Sequence, residues 1–79
     1  MTRTEFIKKI EKGSDILFDV ADRHYVIFTW MENGIGIGEQ YHTDPLQFFD
    51  TPESLIDNFQ VDGTPLVHLC NKIIITEYT

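Results

Sequence analysis

The chain has 79 residues, with 13 acids against 6 bases, for a formal net charge of −7. A domain of this size buries about 60% of the surface its unfolded form exposes, so it folds alone with little to spare. The 42% apolar share is too high for a disordered chain. No apolar run approaches the ~18 residues of a membrane span. An acidic body also excludes phosphate-led binding of nucleic acid, which needs clustered Lys and Arg.

The charge is uneven. Arg3, Lys8, Lys9 and Lys12 outweigh Glu5 and Glu11 at the start, whereas every later acid is offset only by Arg23 and Lys72. That distribution fits a protein partner with a basic surface. The simpler reading is that the acids only keep the chain soluble. Thr2-Arg3-Thr4-Glu5 opens without an apolar run, so no secretory signal is expected. The single cysteine, Cys70, permits no internal disulfide and fits a reducing bacterial cytoplasm.

In chain order, Thr2–Lys12 reads as a helix. Thr2 and Glu5 have capping-box spacing, and Phe6, Ile7 and Ile10 form one apolar stripe. Lys8, Lys9 and Lys12 suit the C-terminal end of the dipole, and Gly13 provides the left-handed stop. Ile16, Phe18 and Val20 alternate with Asp15, Leu17 and Asp19 as a first strand. Ala21-Asp22-Arg23 is a short join into Tyr25–Trp30, a central strand apolar on both faces. Met31–Gly34 is the next turn, read from its Asn-Gly pair, and leads into a strand over Ile35–Tyr41.

Gly34, Gly36 and Gly38 share one face of that third strand. The dinucleotide fingerprint is G-x-G-x-x-G at a strand-to-helix join, so G-x-G-x-G inside a hairpin strand is read instead as a close approach by another backbone or ring. Trp30 or Tyr25 is the expected ring. His42–Pro45 is loop chemistry, and Gln47–Asp50 is a fourth strand. Thr51-Pro52-Glu53 then starts a helix with Leu55, Ile56 and Phe59 on its buried stripe. Asp62-Gly63 is a turn. Thr64-Pro65 predicts a short helix over Leu66–Asn71, and Lys72–Tyr78 closes the chain as a strand.

The expectation is one α+β domain over residues 1–79. It is an antiparallel sheet of four or five strands with helices packed on one face, in the order α-β-β-β-(β)-α-α-β. The second face is expected to carry some of Leu17, Tyr25, Ile27 and Tyr78 beside the glycines. Apolar surface left open there would call for a partner or a homodimer.

Glu5-Phe6, Gly13, Phe18, Phe49-Asp50, Glu53, Leu55, Asp62-Gly63 and Leu66 carry a resemblance that covers most of the chain. By these residues it resembles a group of short uncharacterised proteins from Gram-positive bacteria and their phages. These are capping and core positions. The resemblance therefore implies a fold, and it transfers no catalytic residue. Small acidic phage proteins of this size are often inhibitors of host defence, anti-CRISPR proteins among them, and some imitate nucleic acid with surface carboxylates. That is an analogy of size and charge.

No constellation predicts catalysis, a metal site or a cofactor. His68-x-Cys70 is one short pair without the second pair a zinc site needs. It supplies neither an oxyanion donor nor an orienting acid. Cys70 is read as a small buried hydrophobe and His68 as a surface residue. The expected function is non-enzymatic binding of a basic protein surface, through Asp19, Asp22, Tyr25, Trp30, Glu32, Glu39 and Tyr41 of the hairpin sheet. An inhibitor encoded by a phage or mobile element is its sharpest form. The alternative is a structural homodimer, or a small regulatory domain without a charge-driven target.

Overall fold

A computed structural model describes residues 1–78, apart from the side chain of Trp30. Two α-helices, α1 (Arg3–Glu11) and α2 (Pro52–Asn58), and a 3₁₀ helix over Leu66–Lys72 lie on one face of an antiparallel sheet. The sheet strands are β1 (Ile16–Val20), β2 (Arg23–Met31), β3 (Gly34–Glu39), β4 (Gln47–Phe49) and β7 (Ile74–Tyr78), in the spatial order β4-β3-β2-β1-β7. A two-stranded ribbon, β5 (Gln60–Val61) and β6 (Thr64–Pro65), stands apart. The α+β class and helices on one face are as the sequence predicts.

Local chemistry sets the helix ends. The Thr2 hydroxyl accepts from the Glu5 backbone N–H while Glu5 accepts from the Thr2 N–H, both at 3.1 Å. Two orphan donors at the start of α1 are thereby satisfied. Gly13, at φ 79°, follows the helix in the left-handed region. In α2 the Thr51 hydroxyl accepts from the Ser54 N–H at 3.0 Å, and Pro52 occupies the first helical position.

The hairpins differ from the expectation in their turns. Ala21 and Asp22 both have positive φ, 52° and 60°, and join the paired ends Val20 and Arg23. This is the type I′ geometry whose twist matches antiparallel strands. In the second hairpin only Gly34 is left-handed, at φ 114°, and the register slips between Phe28 and Met31. Thr64-Pro65 does not cap a helix. It pairs with Gln60-Val61 across the Asp62-Gly63 turn, and the helix that follows is 3₁₀.

The core lies entirely between the helices and one face of the sheet. Phe6, Phe18, Ile16, Ile27, Ile37, Leu55, Ile56 and Leu66 are fully buried. Phe18 stacks on Tyr25 at 5.5 Å between centroids, and Tyr25 meets Phe59 edge-on at 5.6 Å. Such ring pairs add about 0.5–1.5 kcal/mol each beyond their area.

This corrects the expected assignment of faces. Val26 pairs with Gly38 and Phe28 with Gly36, so the even-numbered residues of β2 share the glycine face. Tyr25 and Ile27 point to the core, and Tyr78 donates its hydroxyl to the Lys9 carbonyl on the helix side. Of the four residues expected beside the glycines, only Leu17 is there, paired opposite Val26.

Candidate functional site: the open face and the Arg23 cleft

The face away from the helices carries two zones. The first is apolar and centred on the glycines. Gly36 and Gly38 leave a trough, filled from within the chain. A Cβ on Gly38 would meet Leu46 Cδ2 at 2.7 Å, and one on Gly36 would meet Met31, Leu46 and Phe48 between 3.0 and 3.2 Å. The expected close approach is therefore present, but aliphatic, sulfur and phenyl groups of Leu46, Met31 and Phe48 make it, not Tyr25. Around the trough lie half-buried Leu17, Val26 and Phe28, and exposed Met31 and Phe48, while exposed Ile74 stands on the far edge strand of the same face. No helix covers these side chains among the described residues.

The second zone is polar and sits where β2 begins. His24 Nδ1 lies 2.6 Å from Asp19 Oδ1 across the β1–β2 pair. Both line a shallow depression with Gln40, Tyr41, Thr76 and Glu77. Tyr41 is 94% exposed with φ 67°, a conformation an aromatic residue adopts only under local constraint. Asp15 lines the apolar groove beside Phe28, Met31 and Leu46. The open face thus carries Asp15, Asp19 and Glu77. Lys72 stands at its rim, beside Ile74 and Asp22. The cations Arg3, Lys8, Lys9 and Lys12 all belong to α1 or its end, behind the sheet.

The seven residues expected to form one binding surface are divided. Asp19, Asp22 and Tyr41 gather near the β1–β2 turn. Glu32 lies in the opposite hairpin turn, across the nine-residue length of β2, about 26 Å at the usual strand rise. Tyr25 is only 3% exposed and belongs to the core. The Trp30 side chain lies outside the described residues. Glu39 pairs opposite Tyr25, so it faces the helix side.

Glu39 belongs to a network that sequence reasoning missed. Arg23 donates to Glu39 Oε1 at 2.9 Å and to Asp62 Oδ1 at 2.7 Å. His42 Nε2 lies 3.3 Å from the other oxygen of Glu39. The Asp62 and Glu39 carboxylates hold the Arg23 guanidinium above its ordinary range, with the Asp62 charge as the largest cause. The bridge ties the main sheet to the β5–β6 ribbon. Spacing in the sequence gives no sign of it, because residues 23, 39 and 62 meet only once the ribbon folds back.

Cys70 is buried, and its Sγ lies 3.7 Å from the Leu66 carbonyl. Burial pushes the thiol above its usual pKa, which keeps it protonated and unreactive. His68 is exposed, as read from the sequence. Among the described residues no group of three His, Cys, Asp or Glu is placed to hold a metal ion. No family model, curated protein or solved structure matches the chain.

Proposed function

We propose that this chain is a non-enzymatic binding module whose open sheet face docks on a protein that presents apolar residues flanked by Lys or Arg. One observation carries the reading. The apolar side chains of that face lie beside Asp15, Asp19 and Glu77, while the basic residues of α1 stand behind the sheet. Burial of the apolar zone supplies affinity, and the carboxylates steer and orient a basic partner.

Two features favour the face over the sheet edges. At one edge, β4 is three residues long. At the other, β7 carries an extra residue at Thr76 between the pairs Leu17–Glu77 and Phe18–Ile75. Short and bulged edges are poor templates for strand addition. A second copy of the chain is a weaker occupant of the face, because Asp19 and Glu77 would meet their own like charges. An inhibitor encoded by a phage or mobile element, acting on a nucleic-acid-binding protein, is the most specific form of this reading.

The test is affinity capture with three baits. They are the unaltered chain, the open-face variants Asp19→Lys/Glu77→Lys and Phe48→Lys, and Glu53→Lys on the helix side as a control. The reading holds if a captured protein is retained by the control, lost by both open-face variants, and released at about 0.5 M salt, where exposed charges are screened. It fails if no captured protein distinguishes the two faces. It fails equally if sedimentation shows a salt-insensitive dimer abolished by Phe48→Lys.

A further inference from the structure

A groove of about 310 Å³ crosses the open face at the end away from the β1–β2 turn. Among the described residues, Asp15, Phe28, Met31 and Leu46 line it. The register explains why these four meet. Ile16 pairs with Ile27 and Phe28 with Gly36, so Asp15, Phe28 and Gly36 are neighbours across the first three strands. Met31 and Leu46 lean over Gly36, where a Cβ would meet them at 3.0 and 3.1 Å. The groove therefore runs across two strand spacings, about 10 Å, from a carboxylate at one end to an apolar patch at the other.

Asp15 differs from the other acids of this face. In β1 the even-numbered residues Ile16, Phe18 and Val20 are buried, so Asp15 belongs to the open side with Leu17 and Asp19. The Thr29 hydroxyl donates to the Ser14 carbonyl at 3.4 Å, which holds the preceding residue against β2. Asp15 is half-buried, whereas Glu77 is exposed. The ion pairs among the described residues use Asp19, Glu39, Asp57 and Asp62 and leave Asp15 out. A carboxylate partly withdrawn from water and bordered by apolar side chains favours a cation that brings its own apolar cover.

We infer that the groove takes one arginine or lysine side chain of the partner protein. Its stem lies over Phe28, Met31 and Leu46, and its head group donates to the Asp15 carboxylate. This rests on the open face being the docking surface, and it names the residue of the partner that the face reads. Arginine and lysine join a methylene stem to a cation, whereas a compact cation would leave the apolar end of the groove uncovered. The volume stands at the lower limit of pockets for whole small ligands, ~300 Å³, which suits a single side chain. Asp19 lies four residues along β1, about 13 Å at the strand rise, and is already engaged by His24. Asp19 steers the partner, and Asp15 anchors it.

NMR titration of the isotope-labelled full chain tests this with three probes. Pentylguanidinium has stem and charge, methylguanidinium lacks the stem, and pentylurea lacks the charge. Pentylguanidinium is expected to shift the Met31 and Leu46 methyl signals saturably, with a Kd of about 1–10 mM, as fits a ligand of so few atoms. The other two are each expected to bind about tenfold more weakly, one for lost apolar contact and one for the lost charge-assisted bond. Asp15→Asn is expected to bring pentylguanidinium down to the level of pentylurea and to leave pentylurea unchanged. Its urea midpoint is expected to hold, because Asp15 gives up no ion pair on conversion to the amide.

Equal binding of methylguanidinium or pentylurea overturns the inference, as does Asp15→Asn binding pentylguanidinium unchanged, or shifts that do not saturate. A captured protein that Phe48→Lys loses and Asp15→Asn retains keeps the open face as the docking surface and refutes this site. A saturable titration by a chain that captures nothing does the opposite, keeping the groove as a cation site and refuting the docking surface. A salt-sensitive dimer lost in Asp15→Asn assigns the side chain to a second copy and overturns its assignment to a separate partner.

Discussion

Two glycines with positive φ allow backbone conformation to be separated from steric crowding. Gly63, at φ 84°, has no atom within 4 Å of where a Cβ would stand. Gly34, at φ 114°, would place its Cβ 2.7 Å from the Phe49 carbonyl oxygen. Alanine in the left-handed region costs about 1–2 kcal/mol, offset by about 0.4–1 kcal/mol because alanine restricts the unfolded chain. Gly63→Ala is therefore expected to lose about 1 kcal/mol. At Gly34 the obstacle is backbone, and it can retreat only by disturbing the neighbouring Ile35–Phe49 pair. Overpacking adds about 1–3 kcal/mol, which brings Gly34→Ala to about 2–4 kcal/mol. At about 4–8 °C per kcal/mol for a domain this small, the Tm falls by roughly 5 °C and by roughly 10–25 °C respectively. Urea unfolding with unchanged m-values gives the free energies directly. Equal losses for the two variants would show that the Phe49 carbonyl does not constrain Gly34, and would refute the reasoning.

Other expectations follow from local geometry. Ala21→Asn places a residue suited to positive φ in the first type I′ turn and is expected to raise stability by about 0.5–1 kcal/mol, read as a higher urea midpoint. Backbone and side-chain hydrogen bonds to Thr2 lower the Glu5 pKa, and the Arg3 side-chain hydrogen bonds, at 3.0 and 2.8 Å, lower that of Asp57. Because the folded values are depressed, this stabilisation is complete above the ordinary carboxylate range and is lost as the pH falls below about 4. In a series of urea midpoints against pH, Asp57→Asn is expected to show a shallower acid decline, and an unchanged slope counts against the pairing. Cys70 is expected to react with a thiol reagent at pH 8 at least about tenfold more slowly in the folded chain than in urea. Comparable rates would place the thiol at the surface.

The sequence made the elements legible wherever local chemistry decides them. The capping box of Thr2 and Glu5, the Thr51-Pro52 start and the Met31–Gly34 turn each depend on residues within one turn of the chain. The choice of faces for β2 was not legible. Tyr25, Ile27, Val26 and Phe28 are all apolar, so alternation shows that two faces exist without showing which is covered. That was settled by Leu46, which lies over the glycines and leaves the helices to the odd-numbered residues. The Arg23 bridge was hidden for a similar reason, since it joins three segments distant in sequence. Thr64-Pro65 misled because threonine before proline also suits an extended strand, as the residue before proline avoids the helical region. Of the expected binding residues, Asp19, Asp22 and Tyr41 share a neighbourhood because the β1–β2 turn holds Asp22 beside Asp19, while the segment after β3, tied by the Gln40 N–H to the His24 carbonyl, brings Tyr41 to the start of β2. Tyr25 was misplaced together with its face.

The extra residue at Thr76 has a consequence for crowded conditions. The Thr76 hydroxyl bonds to the Leu17 carbonyl at 3.2 Å, which pins the irregularity in place. Ile73-Ile74-Ile75 is the kind of β-branched run that nucleates cross-β stacking when its backbone is regular and free. Here the outermost strand presents donors and acceptors out of step, so an incoming chain finds no continuous ladder to extend. Even a concentrated solution should therefore stay free of fibrils, and smoothing this one kink by deleting Thr76 should be enough to seed them.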